Sequence, residues 1–187
     1  MNNLFRFIQL FGWIQGTFLA LKFKFDYLDH FKLPGIQHAF ALRKNTSDKA
    51  TFRQVFIDRY YYMNYPATVN TIIDGGANIG LFTLFIKNKF PAAKVICIEP
   101  DAENFSMLQK NTSGYENVFY EHAALWNTKN MLQLHNSEQY NKAGITVSEN
   151  KNPRGEDETI AGITIDGLLE KYNISRIDIM KLDIEAS

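Results

Sequence analysis

The stretch Thr71-Ile72-Ile73-Asp74-Gly75-Gly76-Ala77-Asn78-Ile79-Gly80 decides the fold. A short apolar run enters a glycine-rich turn, and Leu81 to Phe90 then reads as a helix closed by Pro91. Lys94-Val95-Ile96-Cys97-Ile98 follows as a second buried strand ending in Glu99-Pro100. Asp101 starts another helix, with Phe105 and Leu108 facing inward, and Asn117 to Glu121 is a third strand. Strands separated by helices of about ten residues predict a parallel sheet with right-handed crossovers.

The turn carries chemistry. Gly76 and Gly80 permit close backbone approach, and the helix behind them presents N–H groups at its start. Asp74 stands before the glycines. Glu99 closes the next strand, nineteen residues beyond Gly80, where an acid accepts hydrogen bonds from ribose hydroxyls. Both acids fall at the carboxyl edge of the sheet. The frame Gly75-x-Ala77-x-x-Gly80 is that of a nucleotide loop, but a carboxylate before it would repel a pyrophosphate. The same carboxylate suits the cationic methionyl end of S-adenosylmethionine. Electrostatics therefore favour the methyl donor over NAD(P), and an NAD(P)-dependent oxidoreductase is the alternative.

Outward from this core, residues 126–163 break the rhythm. Met131 to Leu134 and Gly144 to Val147 read as short antiparallel strands, and Glu149 to Glu158 as a mobile polar loop. Thr164-Ile165-Asp166 starts a helix that runs to Tyr172, with Asp166 a helix-start residue. Asp178 to Leu182 is a further buried strand.

Residues 1–65 carry nine Lys/Arg and four Asp (9 − 4 = +5), while residues 66–187 carry eleven basic and sixteen acidic groups (11 − 16 = −5). This shift separates an α-rich N-terminal appendage, 1–65, from a ligand-binding domain, 66–187. Helical spacing puts Leu4, Phe7, Phe11, Ile14, Phe18 and Leu21 on one face. That face either docks on its own domain or a second subunit, as in a homodimer, or makes a peripheral membrane contact through residues 4–25, helped by Lys22 and Lys24. Residues 38–43 read as a strand, Asn45 to Asp48 as turn and N-cap, and 51–62 as a helix ended by Tyr60-Tyr61-Tyr62, whose rings serve core and cap packing.

Over 187 residues, 45% apolar and 21% charged, twenty basic groups balance twenty acidic ones, which excludes a nucleic-acid-coating protein. The single cysteine, Cys97, excludes a disulfide framework and a cysteine zinc site, fits a cytoplasmic location and reads as an inert core thiol.

Five blocks in order resemble the FkbM-type methyltransferase family. They are Asp74 to Gly80; Glu99-Pro100-Asp101 with Asn104-Phe105; His122-Ala123-Ala124-Leu125; Thr164-Ile165-Asp166; and Lys181-Leu182-Asp183-Ile184-Glu185. The resemblance implies a class I, Rossmann-like α/β fold, S-adenosylmethionine as cofactor, and O-methylation of a sugar or small-molecule hydroxyl. Carried over, Asp74, Gly75, Gly76, Ala77, Asn78 and Gly80 form the methionine- and ribose-side loop. Glu99, with Pro100 beside it, binds the ribose, and Ala123 and Ala124 shape the adenine pocket. Asp183 and Glu185 lie beside the sulfonium as candidate bases, with His122 behind them. Two carboxylates alone do not make a metal site, so no metal is assigned. His122 and His135 also read as satisfied strand or surface histidines. Where the family continues Gly-Ala-Glu, this sequence reads Ala186-Ser187. Three later strands of the class are absent from it, leaving core strands in the order 3-2-1-4 with an exposed edge. A non-catalytic, truncated cofactor-binding remnant is therefore a further alternative. Glu99 is expected to matter for binding and little for folding.

Overall fold

The computed structural model describes residues 3–136, 145–149, 159–183 and 185–186. The chain divides into two compact units, Met1–Asn64 and Tyr65–Ser187.

In the C-terminal unit, β1 (Thr71–Gly75), β2 (Lys94–Ile98), β3 (Val118–Glu121) and β8 (Ile179–Leu182) form a four-stranded sheet in the order β3-β2-β1-β8. All three pairings are parallel. This is the Rossmann-like α/β order expected from the sequence. Helices α4 (Leu81–Lys89) and α5 (Ala102–Thr112) follow β1 and β2, and α6 (Ile165–Lys171) precedes β8. Ile72, Ile73 and Val95 to Ile98 are buried on both faces of the sheet, as parallel strands between helices must be. One cluster joins Ile73, Ile96 and Ile98 to Ala123, Leu125 and Leu168. Asp101 caps α5 by accepting from Asn104 N (2.7 Å), and Thr164 caps α6 through Gly167 N (3.0 Å).

A second sheet was only partly legible. It runs β4-β7-β5-β6-β9, with β4 at Ala124–Leu125, β5 at Met131–Asn136, β6 at Ile145–Glu149, β7 at Thr159–Ile163 and β9 at Glu185–Ala186. The expected antiparallel pair is β5 with β6. The chain leaving β8 pairs β9 with β6 in parallel and so enters this second sheet. Among the described residues, β8 pairs with β1 alone. Gly144 and 150–158, most of the expected polar loop, lie outside the described residues.

The N-terminal unit departs from several sequence expectations. The single N-terminal helix is two, α1 (Asn3–Phe11) and α2 (Trp13–Lys24), broken at Gly12 with φ 78°. A Cβ at Gly16 would fall 2.5 Å from Phe7 O, so the two helices meet backbone to backbone there. The break re-aims the expected common face. Phe7 enters the unit's core, while Ile14, Phe18 and Leu21 stay exposed and Leu19, Ala20 and Phe23 are buried in their stead. Phe7, Phe23, Phe31, Phe40, Phe52 and Phe56 form the aromatic core, for example Phe23 with Phe52 at 5.2 Å. The expected strand at 38–43 reduces to one antiparallel bridge, Phe31 with Phe40. The expected helix at 51–62 is α3 (Asp48–Phe52) followed by a π-helical turn, Arg53–Ile57. Asp58 N donates to Arg53 O (2.7 Å), and Arg59 then turns out at φ 59°. Asp48 does not cap: its buried carboxylate takes Arg43 N (2.7 Å) and the Arg43 guanidinium (2.9 Å). Tyr60 and Tyr62 are exposed rather than core. No helix of the described residues is long and apolar enough to cross a membrane.

Candidate functional site

β1 delivers Asp74 and Gly75 to the carboxyl edge, and the turn to α4 is built from left-handed backbone at Gly76 (φ 70°), Asn78 (φ 50°) and Gly80 (φ 85°). Gly80 is forced twice over. Besides its φ, a Cβ there would fall 2.8 Å from Leu108 Cδ1 and 3.0 Å from Thr112 Cγ2. α5 therefore packs directly onto the turn, and Asn111 Nδ2 donates to Ile79 O (2.9 Å) to hold it.

Every amide of the turn is consumed within the protein. Gly76 N and Ala77 N both donate to Ile98 O at 3.0 Å, and Gly80 N donates to Ala77 O at 2.9 Å. Asn78 N donates to Glu99 Oε2 (2.7 Å), and Ile79 N to Asn78 Oδ1 (2.8 Å). A pyrophosphate-binding loop works by offering such N–H groups outward. This turn offers none between Gly76 and Gly80.

What the site offers instead is an acceptor. Glu99 is 5% exposed at the end of β2 and braces both flanking loops, since Oε1 also accepts from Asp101 N (3.0 Å). Burial pushes its carboxyl above the usual glutamate range, against the pull of the Asp101 and Asn78 amides and the Asn104 side chain. A carboxylate has about four acceptor positions, and the two backbone bonds with the long Asn104 Nδ2 contact (3.5 Å) leave about one of them open to a further donor. The expectation that Glu99 matters little for folding is corrected, because it ties Asn78 to Asp101.

Asp74 sits differently from the expected ligand-facing acid. Its carboxylate is fully buried; Oδ2 accepts from Thr83 Oγ1 (2.7 Å), and Oδ1 forms an ion pair with Lys181 Nζ (3.1 Å) rather than a directed hydrogen bond. The β1–β8 register sets Asp74 beside Lys181. Lys181 Nζ also donates to Gly76 O (2.6 Å) and lies 3.8 Å from Asp183 Oδ2. Asp74 thus meets the edge through Lys181, with its carboxylate closed to solvent. A lysine inside the run Ile-Met-Lys-Leu was the available signal, but the expected burial of that strand is corrected: β8 is a sheet edge with Met180 and Leu182 exposed, and it is Lys181 that turns in against the buried carboxylate of Asp74. Burial also pushes the Cys97 thiol up, in accord with an inert core cysteine, and Cys97 Sγ lies 3.1 Å from Thr83 Oγ1.

Gly75 closes the strand against Leu182 and Leu125, at 3.1 and 3.2 Å from an added Cβ. Ala77, Ala123 and Ala124 are buried, and Pro100 is half-buried beside Glu99. Asp183 lies just past β8, its N–H on Gly75 O (3.0 Å) and its carboxylate exposed. Glu185 belongs to β9, in register with Thr146, and its side chain lies outside the described residues. His122 is set apart from these two. It follows β3, three strand spacings or about 14 Å from the end of β8. Its ring stacks on Phe105 at 4.8 Å, and Nε2 is 3.0 Å from Pro100 O. The expectation of His122 as a base behind Asp183 is therefore corrected; it walls the Glu99 side.

The parallel β3-β2-β1-β8 sheet, with a glycine-rich turn after β1 and a buried acid closing β2, is a Rossmann-like fold of the methyltransferase type. The sequence model of the Methyltransferase FkbM domain matches residues 74–187, and the chain belongs to that family. It is 37% identical over 59 residues to "Methyltransferase 1" of Beauveria bassiana (strain ARSEF 2860), covering 32% of this chain and 24% of that protein. It is likewise 37% identical over 60 residues to "Methyltransferase sdnD" of Sordaria araneosa, covering 32% and 23%. A 68-residue stretch is 35% identical to "AMB antimetabolite synthetase AmbE" of Pseudomonas aeruginosa PAO1, covering 34% of this chain and 3% of that protein. The matched stretch thus spans at most about a quarter of these relatives.

Proposed function

We propose that this chain binds S-adenosylmethionine at the carboxyl edge between Gly76 and Glu99 and methylates a hydroxyl of a sugar or other small molecule. The observation that carries this reading is the turn itself: all its amides bond inward, and an acid with spare acceptor capacity stands beside them. Such an acceptor suits a ribose diol, not a phosphate. When bound, the donor supplies an activated methyl group.

The chain's own residues do the rest. Glu99 fixes the ribose hydroxyls, and buried Ala77, Ala123 and Ala124 keep water from the base. Asp183, exposed beside Gly75 and held near Lys181, takes the proton from the acceptor hydroxyl. Alignment of acceptor and donor then supplies most of the rate.

Release of S-adenosylhomocysteine, measured with hydroxyl acceptors and with matched amines, tests the reading. Turnover with hydroxyls that collapses in Asp183→Asn, with donor affinity kept, supports it. Preference for amines, or full activity of Asp183→Asn, contradicts the hydroxyl assignment.

A further inference from the structure

Helix α2 is apolar on two opposite sides. Gly16, Leu19, Ala20 and Phe23 form the buried side. At 3.6 residues per turn, Ile14, Phe18 and Leu21, continued by Phe25 just beyond the helix, line up roughly 180° away. These four are 87%, 60%, 47% and 60% exposed. A helix that is apolar all round is ordinarily buried all round; here one whole side faces out.

The borders of that stripe say what covers it. Lys22 and Lys24 fall about 70–90° to either side of its midline, so cations flank it on both sides. Each leans over a ring at that border, Lys22 over Phe18 at 5.6 Å and Lys24 over Phe25 at 5.5 Å. Lys22 also lies 5.8 Å from the Phe31 ring centroid and donates to His30 O at 3.1 Å. Exposed Trp13 and Tyr27 add amphipathic rings of the kind that settle at a lipid headgroup boundary.

The unit's charge agrees. Its nine basic groups outnumber four aspartates, and three of those, Asp26, Asp48 and Asp58, pair internally with Lys49, Arg43 and Arg53. Packing this stripe against its own copy would press lysine borders together, whereas an anionic lipid surface takes both the stripe and the lysines.

We propose that the N-terminal unit docks on anionic membranes through the Ile14–Phe18–Leu21–Phe25 stripe, with Lys22 and Lys24 seated among the headgroups. The test is co-sedimentation of the full chain with phosphatidylcholine vesicles, with and without phosphatidylserine. The wild type partitions onto the anionic vesicles. Ile14→Gln/Phe18→Gln loses tenfold or more while Phe18→Leu does not, and equal thermal melts show that all three fold. Lys24→Gln, chosen because Lys22 also holds His30, weakens only the anionic binding, by about fivefold, which is the effect of ~1 kcal/mol per basic residue near such a surface. No binding to anionic vesicles, or equal binding by the Gln variant, overturns the proposal. So does ultracentrifugation in which the stripe variant abolishes a dimer and vesicle binding is lacking.

Discussion

Replacing Lys181 by Met removes the cation from a carboxylate that is closed to solvent. Asp74 is fully buried and keeps only the Thr83 hydroxyl at 2.7 Å once the ammonium at 3.1 Å is gone. Breaking a buried pair from one side costs about 3–5 kcal/mol, because the other charge is left uncompensated. Lys181 itself retains slight solvent contact, so the expected loss is near the lower end, about 3 kcal/mol. Asp74→Asn should cost less, since the amide still accepts from Thr83 and Lys181 keeps Gly76 O. In the double variant neither charge remains, so the two losses should fail to add by about 2 kcal/mol. Urea unfolding followed by Trp126 fluorescence, in a Trp13→Phe background so that only the C-terminal unit reports, measures all three. A loss under about 1 kcal/mol for Lys181→Met, or additivity within about 0.5 kcal/mol, would refute the Asp74–Lys181 pairing.

Gly80→Ala should destabilise the C-terminal unit by about 2–5 kcal/mol in the same assay, from the left-handed φ together with the Leu108 and Thr112 contacts. Asp178 accepts from Asn70 N and Thr71 N, which hold its carboxyl below the ordinary 3.8. A depressed folded pKa gives stability that is present above 3.8 and lost as pH falls through the folded value, so the melting advantage over Asp178→Asn should fade only in acid. Glu99 has the opposite sign. Its raised folded pKa means that stability declines as pH rises from the ordinary 4.5 through the folded value, while donor binding improves over the same window as the acceptor ionises. Glu99→Gln should flatten both profiles in melting and binding titrations.

The α/β order was legible because the buried strands are unambiguous: Ile72-Ile73 and Val95 to Ile98 have no polar face, and Pro91 and Asp101 punctuate the helices. The second sheet was harder to read, since β4 and β9 are two residues each, too short to show any period. In the N-terminal unit one glycine defeated the periodicity. Gly12 breaks the helix, and a face computed across it mixes core Phe7 with exposed Ile14. At the site, spacing located Glu99 and the glycines. The partner of Asp74 lay 107 residues away and needed the β1–β8 register to be seen. His122 is near Asp183 only in the sense that both end strands; the sheet order separates them.

Calorimetric titration of the chain with S-adenosylhomocysteine and, separately, NAD puts the central claim to its most direct test. The inward-bonded turn and the Glu99 acceptor predict binding of the nucleoside and none of comparable strength for the dinucleotide. Glu99→Ala should weaken the former by roughly 2–3 kcal/mol, about 30- to 150-fold, for the loss of charged hydrogen bonds. Binding of NAD as tight as S-adenosylhomocysteine, or an affinity unchanged in Glu99→Ala, would contradict it.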